Sequence, residues 1–223
     1  MQLVPPSTKE QIVLTAERLL AERGLEGVSL RQISAEAGCG NNTAVQYHFG
    51  SKDQLIQAVF EYRQPRLHER RRILIAQHRP QDLRSWCECF LLPIMEQGEQ
   101  KGSHYCSFVA MLVAHGRLEM FDRVREEFRA PSRAFREQIG LLLPGLPESL
   151  RMHRITYVLT FSVHAAADRE RARANGLKVL PFAVHVSDLI DGLVGFLGAP
   201  ASPLALAALK VTDPVSITWP KLL

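Results

Sequence analysis

The chain has 223 residues, 46% of them hydrophobic and 22% charged. That is enough to bury a substantial core and too little for many domains, so one small domain and one larger one fit. The net charge of +4 and sequence pI near 9.0 permit an anionic partner without demanding one. No run of about 18 apolar residues occurs, and MQLVPPSTKE at the start lacks the basic and apolar regions of a signal peptide, so a cytoplasmic protein with no membrane partner is expected.

In chain order, Thr8-x-x-Gln11 reads as a capping box, and Ile12, Val13, Ala16, Leu19 and Leu20 follow at helical spacing as far as Gly24. This first helix is the expected scaffold for the next two. Ser29-x-x-Gln32 opens a short segment with Leu30, Ile33 and Ala37 that Gly38 closes; Asn41 opens another carrying Ala44, Val45 and Phe49. Two short helices across a tight turn form a helix-turn-helix. The second is crowded with Asn41, Asn42, Thr43, Gln46, Tyr47 and His48, which carry donors and acceptors but no charge. Such side chains suit base edges and phosphates. Each alone is equally ordinary surface chemistry; their grouping on one short helix is what points to nucleic acid. Ser51-x-x-Gln54 then starts a fourth helix with Leu55, Ile56, Val59 and Phe60 on one side, and Ser51 and Lys52 sit at its N-terminus, where backbone donors and the helix dipole attract a phosphate.

At these residues the chain resembles the TetR family of bacterial transcriptional regulators. The resemblance rests on Thr8–Gly24 as first helix, Ser29–Gly38 as second, and above all on Tyr47-His48-Phe49-Gly50-Ser51-Lys52 followed by an amphipathic helix. It covers about the first quarter of the chain. The turn from Cys39 to Phe49 is one residue longer than the family's usual spacing, so the alignment runs backwards from Phe49.

Pro65 has no amide to donate and its ring clashes with the preceding turn, so the fourth helix must break or kink near Gln64 before continuing through Leu67, Ile73, Leu74 and Ile75 to about His78. The break either sets the angle between domains or is merely tolerated. Arg63, Arg66, Arg70, Arg71, Arg72 and Arg79 concentrate here, and a solvated helix face is the expected reading. After Pro80 come helices apolar on more than one side, Asp82 to about Gln97 with Pro93 bending it and Ser103 to about His115, which should be central. Leu118 to Leu143 follows with a bend at Pro131, then the breaker Pro144-Gly145-Leu146-Pro147, then Glu148 to about Ala174 and Pro181 to about Leu197. The tail from Pro200 reads as extended or loosely docked. Cys39, Cys87, Cys89 and Cys106 are spaced unevenly and read as reduced, mostly packed thiols; Cys87-x-Cys89 with His104 and Cys106 lacks the spacing of a metal site, and no catalytic constellation or cofactor motif is present.

The expected architecture is all-α: a helix-turn-helix DNA-binding domain over residues 1–50, then a larger helical ligand-binding and dimerisation domain over 51–223. Ser29, Tyr47 and Lys52 should mainly hold phosphates; Asn42, Thr43 and Gln46 should mainly read bases; Asn41, at the helix start, is a further DNA-contact candidate; His48 does either or packs around Phe49. The resemblance implies a homodimer whose closing helices pack against their twins, with Val158, Val163, Val186, Leu189, Ile190 and Leu193 as interface candidates. A dimer implies a palindromic operator with half-sites about 34–36 Å, or a close multiple, apart. Trp86, Phe90, Met95, Phe108, Met111, His115, Tyr157 and Phe161 are candidates to line a cavity for a small, largely apolar, uncharged effector, with His104 and His164 as further polar contacts; core packing for most of them, and core or surface positions for the histidines, are the competing readings. The expected function is a repressor released by that effector. A constitutive DNA-binding protein and an activator on the same scaffold remain alternatives, and an enzyme is not expected.

Overall fold

Ser7, not Thr8, caps the first helix. Two overlapping boxes compete here, and Ser7 with Glu10 prevails because the carboxylate is the stronger acceptor at the positive end of a helix dipole: the Glu10 amide donates to Ser7 Oγ at 3.3 Å, and the Ser7 amide donates to Glu10 Oε2 at 2.9 Å. The Ser7 contacts hold the Glu10 carboxyl below its ordinary range. The computed structural model describes residues 7–39, 44–117, 123 and 125–211.

Among these residues the chain is all-helical, as expected. Helix α1 spans Thr8–Arg23, α2 Leu30–Glu36, α3 Ala44–Phe49, α4 Lys52–Tyr62, α5 Gln64–His78, α6 Leu83–Gly98 and α7 Tyr105–Ala114. After these come α8 (Glu126–Leu142), α9 (Glu148–Ala174), α10 (Phe182–Gly198) and α11 (Pro203–Lys210). Pro65 sits in the first turn of α5, where its missing amide costs nothing, and Arg63 alone separates α4 from α5. The expected break is therefore a real helix boundary. Pro93 and Pro131 lie inside α6 and α8, and both helices run through them. The tail differs from expectation. Ser202 accepts from the Ala205 amide and Pro203 fills the first turn, so a short helix forms there, although it buries none of its side chains.

α7 is the centre. Every residue from Tyr105 to Leu112 is buried, and the helix is wrapped by α1, α6 and α9. One hydrophobic cluster runs from Ile12 in α1 through Phe60, Phe90 and Phe108 to Leu197, so the N-terminal helices and the larger helical body share a core. Cys87 and Cys106 are packed within it and Cys89 is buried; burial pushes the Cys87 thiol up to about 12, and Cys106 donates to the Ile94 carbonyl at 3.3 Å. No helix among the described residues is by itself long and apolar enough to cross a membrane.

Candidate DNA interface and internal cavity

The helix-turn-helix is anchored by carbon and presents its polar side outward. Val45 and Phe49, four residues apart on α3, are buried, while Gln46, Tyr47 and His48 are exposed, Tyr47 to 85%. The Tyr47 and His48 rings meet edge to face at 5.2 Å. Gly50 takes φ +72°, and an added Cβ would meet Gln54 Oε1 at 2.5 Å, so the chain turns from α3 into α4 only with glycine there. Ser51 Oγ accepts from the Gln54 amide at 3.2 Å and starts α4.

Ser29 and Lys52, both expected to hold phosphates, are also engaged within the chain. The Ser29 hydroxyl donates to Gln32 Oε1 at 2.8 Å and accepts from the Gln32 amide at 3.2 Å, completing the expected capping box. The Lys52 ammonium donates to the Leu25 carbonyl, pinning the start of α4 to the turn between α1 and α2. Asn41, Asn42 and Thr43 lie outside the described residues. A cation that sequence reasoning did not single out, Lys9 in the first turn of α1, stands 5.7 Å over the Phe49 ring at the end of α3. Its place one turn from a helix cap is the only signal that marked it.

The helix-turn-helix is fastened to the body through a buried carboxylate. Glu17 of α1, 1% exposed, accepts from Arg63 Nε and a terminal Arg63 nitrogen, each at 3.1 Å, and from the His104 amide at 3.1 Å. Glu170 of α9 accepts from the next free amides of α7, those of Cys106 at 3.3 Å and Ser107 at 2.8 Å. The central helix has no side-chain cap of its own. Two carboxylates from distant helices satisfy its start instead, with Ser103 Oγ accepting from the Tyr105 amide between them at 3.3 Å. Burial pushes the Glu170 carboxyl up, against the Ser107 contacts that lower it. Beside this junction the Tyr105 hydroxyl donates to the Phe60 carbonyl and accepts from Gln64 Nε2, both at 3.1 Å, bridging the ends of α4 and α5.

Within the body lies a cavity of about 100 Å³ bordered by α4 to α9; Phe60, Gln64, Arg71, Phe90, Arg129 and Leu159 are among its walls. Of the residues expected to line it, Phe90 does. Trp86, Met95, Phe108 and Met111 are instead packing elsewhere in or against the core, and His115 is exposed, with Nδ1 at 2.8 Å from the Met111 carbonyl. His164 likewise turns Nδ1 to its own helix, 2.8 Å from the Thr160 carbonyl, and His104 contributes its backbone amide to Glu17. Tyr157 and Phe161 are corrected most sharply: they are 53% and 59% exposed and line an outer groove with Leu189, Leu193 and Phe196. α9 directs Ile155, Val158, Leu159 and Ser162 inward, and residues 157 and 161 fall on the opposite face.

The interface candidates show the complementary shift. Val158, Val186, Ile190 and Leu193 are buried within this chain, and Val163 lines the cavity. Leu189 and the edge of Leu193 reach the groove between α9 and α10. The arginine stretch around α5 keeps to a solvated face at Arg66, Arg72 and Arg79 and departs from it elsewhere. Arg63 pairs with Glu17, Arg70 with Glu96 through two bonds of 2.8 Å, and Arg71 turns into the cavity.

A helix-turn-helix with an exposed polar helix, mounted on an all-helical body that encloses a cavity, is the build of a ligand-responsive DNA-binding regulator. Residues 12–59 match the model of the bacterial regulatory proteins of the tetR family, and residues 88–199 match that of the tetracyclin repressor-like C-terminal domain, so the chain belongs to the TetR family. It is a transcriptional regulator with a DNA-binding and a ligand-binding domain. No curated protein matches it. Among solved structures, reduced E. coli NemR is 18% identical, covering 87% of this chain and 99% of its own, at TM-score 0.46. The multidrug binding protein EbrR complexed with imidazole is 18% identical, covering 89% and 99%, at TM-score 0.39.

Proposed function

We propose that this protein is a homodimeric repressor that binds a palindromic operator and is released from it when a small molecule enters the internal cavity. The observation that carries this reading is the adjacency of cavity and joint: Phe60 and Gln64, on either side of Arg63, line the cavity and are bridged by Tyr105. A ligand that favours one placement of these residues over another has the differential affinity that allostery requires. Gln46, with Asn41, Asn42 and Thr43, would read bases, and Tyr47 would hold phosphate. Lys52 would do so through the ammonium protons that Leu25 does not take, while Ser29 fixes the start of α2. His48 serves either role. The apolar groove of Tyr157, Phe161, Leu189, Leu193 and Phe196 would meet its own copy across a two-fold axis, since an exposed apolar patch of this kind is covered at least cost by itself.

The test is selection of genomic DNA fragments by the purified protein together with its mass in solution. Inverted repeats with half-sites about 34–36 Å or a close multiple apart, bound by a particle of two chains, are expected. A single chain with no preference for any duplex sequence would overturn the reading.

A further inference from the structure

Several arginines in this protein pair with a carboxylate, while half-buried Arg151 and Arg154 bond backbone carbonyls instead. Arg63 has Glu17, Arg169 has Glu99 at 2.7 Å, and Arg70 has Glu96. The cavity is lined by Arg71 and Arg129 and, among the described residues, by no acid. Arg71 donates from Nε to the Phe90 carbonyl at 3.1 Å and lies 4.2 Å over the Phe90 ring, which leaves its two terminal nitrogens without a described acceptor. Arg129 Nε is buried with no hydrogen-bond partner, and no described residue forms an ion pair with Arg129. Arg71 is half-buried, and its desolvation pulls it down to about 10. A buried guanidinium without a counter-anion is unfavourable, and an anion placed against it gains most where water is excluded.

We infer that the cavity is a binding site for a small organic carboxylate, its head between Arg71 and Arg129 and its apolar body against Ile94, Val109 and Leu159. This rests on the reading of the cavity as the effector site and replaces the expectation of an uncharged ligand. Two further observations bound the ligand. The remaining wall is mostly carbon, with the Ser132 and Thr160 hydroxyls as neutral donors, which favours an organic acid over an inorganic ion. The space of about 100 Å³ is below the roughly 150 Å³ of an apolar cavity that takes up benzene, but it is partly open to solvent, so a single ring or a short chain is the largest body it takes, with one end at the opening.

The experiment measures melting temperature and calorimetric affinity for benzoate and hexanoate, for the uncharged benzamide and hexanamide, and for inorganic phosphate. The acids should bind and raise the melting temperature, the amides should bind at least about tenfold more weakly, and phosphate should not bind. Arg129→Gln should weaken benzoate about tenfold to a hundredfold with the helical circular dichroism intact. Arg71→Met, which replaces the lone cation by an apolar chain, should keep or raise the melting temperature of the empty protein and abolish the benzoate shift. If that variant does not fold, Arg129→Gln decides. Amides that match the acids, benzoate binding untouched by Arg129→Gln, or no response to either acid would each overturn the inference. Selected operator DNA separates it from the proposed release mechanism: acids that bind without displacing operator sink the release mechanism and leave the anion site standing, whereas amides that displace operator while the acids do not bind have the opposite effect.

Discussion

The outward side of α3 and the groove between α9 and α10 are both exposed, and they differ in what exposure costs. Gln46, Tyr47 and His48 carry donors and acceptors that water satisfies as well as a partner does. Tyr157, Phe161 and Phe196 expose mainly carbon, unfavourable in water by roughly 25 cal/mol per Å². The polar surface is therefore suited to a partner that comes and goes, and the apolar one to a partner that stays. The proposed dimer, leaving DNA without coming apart, would need that division.

The contrast should break most visibly at Phe161. Phe161→Glu sets a charge in the apolar groove, and sedimentation at micromolar concentration should show single chains, with operator affinity lower by about a hundredfold or more because the half-sites are no longer bound as one unit. Dimers that survive this change would place the two-fold contact elsewhere. A smaller effect is expected at the polar surface, where two substitutions should part company. Gln46→Ala should erase about 1–3 kcal/mol of preference for operator over random DNA, whereas Lys52→Ala should weaken both alike and lower the salt slope of binding by about 1. Fluorescence anisotropy across a salt series reads both, and the reverse pattern would exchange the roles of the two residues. The smallest effect on DNA itself, and one that bears on both surfaces, belongs to Glu17→Ala: with Arg63 left unpaired, folding stability should fall by about 3–5 kcal/mol by denaturant titration while operator preference in the surviving folded protein stays unchanged. A loss below about 1 kcal/mol would show that the buried pair is dispensable.

The sequence made the local signals legible. The Ser29 and Gln32 box, the α3 anchors Val45 and Phe49, the boundary at Pro65 and the limits of α9 all follow from capping, spacing and proline chemistry that act within a few residues. What it hid were choices made by distant partners. α9 is apolar on two faces, and only packing against α6, α7 and α10 decides that Val158 turns inward and Tyr157 outward. Arg71 sits in a run of arginines and Glu17 on an amphipathic helix, so each resembles solvated charge until the fold brings Phe90 over the first and Arg63 and His104 to the second. The α11 helix was missed for another reason: Ser202 and Pro203 are ordinary start signals, but a helix that buries nothing leaves no apolar periodicity to find.

The lone residue between α4 and α5 has a mechanical consequence. Arg63 is both the point where the chain can flex and the side chain gripped by two parallel bonds from Glu17. Both bonds would have to lengthen together for α5 to move against α1, so this one pair ties the angle of the linking helix to the helix that carries the DNA-binding domain.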